Sequence, residues 1–191
     1  MSTRKLTVMG MLTALSVVLL WLLHFPLIPA APYLEYDPAD VPILIGAFAY
    51  GPVAGLLLTV LASAIQALTV SASGGPWGFV MHVIATGALC VPAGIVYRVR
   101  HTRGGAVLGL CLGTVCMAVA MLIANHFITP LYTGMPVAAV DALLLPVMLP
   151  FNLLKAGINS VVTFLLYKSV SVHVIHGEDK VFGKPRRRSE K

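Results

Sequence analysis

The one charged side chain that falls deep inside a long apolar run is Lys155. It lies about 20 Å along a helix that begins near Ala142, at ~1.5 Å per residue, too far from either end to snorkel easily. A charge at such a depth costs at least ~2.5 kcal/mol on insertion scales, so it marks a functional position. Asn152 and Asn159 stand at i−3 and i+4 and share its face. A stripe of amide, ammonium and amide offers donors and acceptors together, which suits a polyhydroxylated or amide-bearing ligand. The competing arrangement is a hydrogen-bonded seam between helices with Lys155 paired to a carboxylate. No Asp or Glu lies inside any long span, so the partner would have to be Asp37, Asp40 or Asp141. The stripe therefore reads as ligand contact at Asn152 and Lys155, and as a structural seam at Asn159, one turn deeper.

Other polar residues in apolar surroundings say less. Asn125, followed by His126 and Thr129, can form a second wall of the same pocket, and serves an interfacial cap equally well. Gln66 and His82 are weaker candidates; without a carboxylate or nucleophile beside it in sequence, His82 supports no hydrolytic constellation. Cys90, Cys111 and Cys116 have no metal-ligand spacing and read as buried apolar thiols; no metal site is expected. In Asp37-Pro38-Ala39-Asp40, Asp37 suits an N-cap, Pro38 the first helical position and Asp40 the positive end of the helix dipole. None of GxxxxGK[ST], HExxH or GxSxG occurs, so the chain carries no ATPase of its own and is not expected to be an enzyme.

The elements that must position these groups follow from a shortage of charge. Of 191 residues, 58% are hydrophobic and 10% charged, against about 25% charged in a soluble domain. Mean hydropathy is +0.91. A hydrated surface cannot be built from so few charges, which excludes a soluble enzyme and a disordered tail and leaves a polytopic helical membrane protein. Turn signals cut the apolar mass into six segments: 6–23, 39–50, 53–70, 77–97, 105–128 and 142–167. The first has an apolar run of about 18 residues, longer than a signal-peptide core, and reads as a retained span. Arg4 and Lys5, then Arg98, Arg100 and Arg103, then Lys168 and the tail fall on one side; Glu35, Asp37, Asp40 and Asp141 fall on the other. That alternation satisfies the positive-inside rule with six transmembrane helices and both termini cytoplasmic. The basic tail, 171–191, reads as a membrane-surface anchor rather than a nucleic-acid contact, and 1–170 as one all-α transmembrane substrate-binding domain. The loop 26–36, apolar and proline-rich, suits a lid over a hydrophobic pocket.

Two separated stretches carry a family resemblance. Leu34-Glu35-Tyr36-Asp37-Pro38-Ala39-Asp40-Val41-Pro42, continued by Gly46-Ala47-Phe48-Ala49-Tyr50-Gly51-Pro52-Val53-Ala54-Gly55, resembles the first-loop and second-helix signature of riboflavin-type S components. These are the membrane substrate-binding subunits of energy-coupling factor (ECF) vitamin importers. Pro150-Phe151-Asn152-Leu153-Leu154-Lys155-Ala156-Gly157-Ile158-Asn159-Ser160 resembles the sixth helix of the same family, and Ala124-Asn125-His126-Phe127 the end of its fifth.

The resemblance implies a six-helix bundle in a prokaryotic cell membrane, with a vitamin site opening outward beneath the first loop. It implies riboflavin as ligand, with no cofactor, and contacts from Asn125, Asn152 and Lys155. Leu34 and Tyr36 of the first loop, together with Gln66, complete the expected enclosure. It further implies partners: a transmembrane coupling subunit and two cytoplasmic ATPases. The family's small-residue docking face on helix one reads here as Gly10-x-x-x-Ala14. A structural membrane subunit with no ligand is argued against by Lys155 in mid-span, and two other readings remain open. One is the same class with another cargo, such as flavin mononucleotide or pantothenate. The other is a membrane enzyme acting on lipid, for which the only candidate acids are Asp37 and Asp40.

Overall fold

The computed structural model describes residues 3–28, 34–69 and 75–170. The basic tail and the tip of the first loop lie outside the described residues. Among the described residues seven helices follow in order: α1 (Thr3–Leu22), α2 (Asp40–Tyr50), α3 (Pro52–Leu68), α4 (Gly75–Val99), α5 (Arg103–Thr133), α6 (Val137–Leu143) and α7 (Leu149–Val170). A π-helical turn over Leu144–Met148 joins α6 to α7. Pro146 sits in that turn and cannot donate a backbone hydrogen bond, which accounts for a local change of winding within one long helix.

The expectation of a purely helical chain needs one correction. Phe25–Pro26 (β1) and Glu35–Tyr36 (β2) pair antiparallel, with Phe25 opposite Tyr36 and Pro26 opposite Glu35. Leu27 N–H donates to the Leu34 carbonyl at 3.4 Å, and the rings of Phe25 and Tyr36 lie 5.3 Å apart. The apolar composition of the loop hid the pairing, because short strands bounded by prolines leave almost no alternating pattern.

Among the described residues four helical stretches are long and apolar enough to cross a membrane: Thr3–Leu22, Gly75–Val99, Arg103–Thr133 and Val137–Tyr167. The other two expected segments are shorter helices, Asp40–Tyr50 and Pro52–Leu68. With 11 residues, α2 extends about 16 Å at ~1.5 Å per residue, half the ~30 Å hydrocarbon thickness. The expected break between helices five and six, around 129–141, narrows to 134–136, where Gly134 takes φ 70° and its N–H caps the Pro130 carbonyl.

The fold is centred on α2. Every residue from Asp40 to Phe48 is buried, and the helix packs against α1, α3, α4 and α7. Its far end turns at Gly51, whose φ of 92° suits glycine, and Pro52 opens α3. Helices α4 and α5 pack closely against each other. This approach is possible because Gly113 lies directly against the Leu89 carbonyl oxygen, where any Cβ would clash. Leu108, Leu112, Val115, Val119 and Ile123 of α5 face outward, an apolar surface that only lipid or another apolar surface can solvate. Cys111 lies on this exposed side and Cys116 is half-buried; of the three thiols expected to be buried, only Cys90 is.

Candidate binding site

A cavity of about 390 Å³ opens where α4 begins, α5 ends and the α6–α7 helix starts. Its size falls within the range of small-molecule pockets. Met81 and Gly78 of α4 form one side; Met121, Asn125, Thr129 and Tyr132 of α5 form another. Val140, Leu143, Met148, Phe151 and Asn152 close it from the α6–α7 side, and Leu34 covers it from the first loop. The lining is apolar apart from a few hydroxyls and the two amides, Asn125 and Asn152, which face one space from different helices. Both amides are oriented by their own helices. Asn125 Nδ2 donates to the Met121 carbonyl at 2.7 Å and its Oδ1 accepts from Thr129 Oγ1 at 2.8 Å. Asn152 Nδ2 donates to the Met148 carbonyl at 2.8 Å, which leaves its Oδ1 as an acceptor for a ligand.

One turn beyond Asn152 the structure becomes ionic. Lys155 Nζ donates to Asp37 Oδ2 at 2.6 Å, with the two side chains 12% and 5% exposed. Asp37 Oδ1 accepts from the Ala39 N–H at 3.0 Å, a local turn that sets the chain entering α2. The helix therefore starts two residues later than an Asp37 N-cap would give. Asn159 Nδ2 donates both to the Asp37 carbonyl at 3.1 Å and to Asp40 Oδ2 at 3.0 Å, while its Oδ1 accepts from Tyr36 Oη at 2.9 Å. Thr86 of α4 donates to Asp40 Oδ1 at 2.6 Å, and Ser16 of α1 donates to the Ala39 carbonyl at 2.6 Å. In the connection ahead of α2, burial works against the Asp37 charge, but the adjacent Lys155 ammonium prevails and holds the carboxyl below the usual carboxylate range. Burial, then the charges of Asp37 and Asp40, push the Tyr36 phenol up, so it stays a donor.

The expected site residues thus divide into two groups. Asn125, Asn152 and Leu34 line the cavity. Lys155 and Tyr36 belong to the polar cluster that underlies it, and Gln66, half-buried on α3, is not among the lining residues. Gly10 and Ala14 are exposed on α1, opposite the face formed by Val8, Leu12, Ser16 and Leu20. Sequence reading missed Thr86 and Ser16. The spacing of Thr86 from His82, i+4 on one helix face, was the available signal for the first; Ser16 gave none.

Known proteins resemble this chain in sequence and in fold. Residues 4–167 match the family described as ECF transporter, substrate-specific component. The chain is 31% identical over 175 residues to the riboflavin transporter FmnP of Bacillus subtilis, covering 87% of this chain and 92% of that one. It is 32% identical over 176 residues to the riboflavin transporter RibU of Streptococcus thermophilus, covering 87% and 82%. A solved structure of the S component of a bacterial ECF transporter superposes with a TM-score of 0.76 at 29% identity, over 88% of this chain and 95% of that one. The chain belongs to the substrate-specific components of ECF transporters.

Proposed function

We propose that this chain is the riboflavin-binding subunit of an ECF importer, taking the vitamin from outside the cell and releasing it inward. The observation that carries this reading is the cavity itself: largely apolar walls around about 390 Å³, two amides lining it from α5 and α7, and an ammonium one turn below. The similarity to two riboflavin transporters over most of the chain supports the choice of ligand. Its family consists of transport components, not enzymes.

In this reading the isoalloxazine ring fills the methionine-lined space between α4 and α5. Its polar edge and the ribityl hydroxyls pair with Asn125, Asn152 and Lys155, with Leu34 closing the loop side and Tyr36 bracing the floor through Asn159. Six apolar segments, with basic residues alternating against acidic ones, support six spans with both termini cytoplasmic in a prokaryotic plasma membrane. The short α2 crosses only in company with the loop that precedes it. Residues 1–170 form the binding domain, and 171–191 a basic cytoplasmic tail. The exposed Gly10–Ala14 face of α1, where Gly10 has no atom within 4 Å of a notional Cβ, is the surface on which a transmembrane coupling subunit docks, with two ATPases behind it.

The test is purification in detergent followed by titration with riboflavin. Quenched flavin fluorescence at one ligand per chain, with a raised melting temperature, is the expected result. A colourless protein that riboflavin does not stabilise, but pantothenate does, would move the chain to another cargo.

A further inference from the structure

The polar cluster beneath the cavity holds two carboxylates and one ammonium. Both carboxylates are met only by donors: Asp37 by the Ala39 N–H and Lys155 Nζ, Asp40 by the Thr86 hydroxyl and the Asn159 amide. A carboxyl that accepts at both oxygens is in its ionised form. The remaining ionisable ring nearby is His82 of α4. Its Nδ1 is bonded to Ser63 Oγ at 2.7 Å, while Nε2 is buried with no partner among the described residues. A buried imidazolium would need partners at both nitrogens, so His82 is neutral. Among the described residues the cluster therefore carries one net negative charge, with its ammonium held by Asp37.

We propose that Asp37 is a positioning and charge-setting residue of the vitamin site: it fixes the Lys155 ammonium below Asn152 and leaves the floor negative, so the site takes an uncharged flavin in preference to its phosphate ester. The proposal rests on the riboflavin reading above. A phosphate adds about −1.5 to −2 charges at pH 7. Carried on a ligand seated in the cavity of about 390 Å³, that charge interacts with the floor across low-dielectric walls rather than through bulk water, where screening is weak. Without Asp37 the same lysine would be a free cation beside the ligand, and the preference would move toward the phosphate.

The experiment compares riboflavin and flavin mononucleotide binding to four full-length proteins in detergent: wild type, Asp37→Asn, Lys155→Met and the double variant. The readout is the ratio of the two affinities, which a residue needed only for folding does not move. Each unit of floor charge should change that ratio by about tenfold. The phosphate ester should fare worst with Lys155→Met and best with Asp37→Asn, and the double variant should match wild type because its floor again carries one net negative charge. Should Asp37→Asn fail to fold with its lysine unpaired, Lys155→Met against the double variant makes the same one-charge comparison. A ratio that is constant across the folded variants, in a wild type that binds riboflavin, overturns the role of Asp37 alone. A wild type that binds neither flavin overturns the riboflavin reading and this proposal together.

Discussion

At its beginning, α2 is tied to α1, α4 and α7 by charge and hydrogen bonds running through Asp37, Ala39 and Asp40. At its other end the same helix is held by rings. Phe48 stacks on Tyr97 with centroids 4.4 Å apart and meets Tyr167 edge-on at 5.2 Å, while Lys5 lies 5.2 Å above the Tyr50 ring. Both ends join the same helices, so packing alone does not require the difference. The ring cluster is assembled from groups that need few specific partners, and it closes the bundle at the end away from the cavity. The ionic end requires each donor to find its acceptor, which ties the first loop and α2 to α7 in one register beside the cavity. The costly chemistry sits where a ligand would use it.

The contrast breaks most visibly at the ion pair. Asp37→Ala leaves Lys155 buried without its partner, and losing one member of such a pair costs about 3–5 kcal/mol. Thermal unfolding in detergent should show a large fall in melting temperature. Removing both charges in an Asp37→Asn, Lys155→Met protein should restore much of it, because the uncompensated charge is gone. An equal loss in both proteins would mean that the pair is not a coupled unit. At the other end, Phe48→Ala removes a ring that is 4% exposed and should cost about 3 kcal/mol through the cavity it leaves. Phe48→Leu should recover most of that loss, as packing permits substitution by shape where hydrogen bonding does not. Neither Phe48 variant should alter the relative affinity for riboflavin and its phosphate ester.

The sequence made the two ends legible to different degrees. Lys155 stood out because nothing else charged lies inside a long span, and its two possible roles, ligand group or ion-pair partner, were both visible, with Asp37 among the three acids available. The structure makes the pair with Asp37, and the cavity one turn away leaves the ligand role open to the experiments above. Asn125 and Asn152 were readable from type and position, and they meet at one space. The pairing of Phe25 with Tyr36 was not readable, since two-residue strands are specified by partners across the loop rather than by local pattern. The aromatic cluster was equally hidden: Phe48, Tyr97 and Tyr167 are far apart in the chain, and an aromatic near a helix end is ordinary in a membrane protein. The short length of α2 was visible as a twelve-residue segment, but its burial on all sides depends on its neighbours.

The smallest expected effect tests whether the ionic end reaches α1. Ser16 Oγ donates to the Ala39 carbonyl at 2.6 Å, between the two carboxylates in sequence, and both groups are buried. It joins the polar cluster to the helix that exposes Gly10 and Ala14 on its opposite face. Interhelical hydrogen bonds in membranes average about 0.6 kcal/mol in double-mutant cycles, so Ser16→Ala should lower the melting temperature only slightly. Riboflavin affinity should stay within about twofold of wild type, since the carboxylates keep their donors from Thr86, Asn159 and Lys155. Combining Ser16→Ala with Asp37→Ala sharpens the point. If α1 is held through the same unit, the two losses should sum to more than their combined effect, because an α2 start already released by Asp37→Ala has less left to lose at Ala39. Strict additivity would mean that Ser16 anchors α1 to the backbone alone and takes no part in the ionic end.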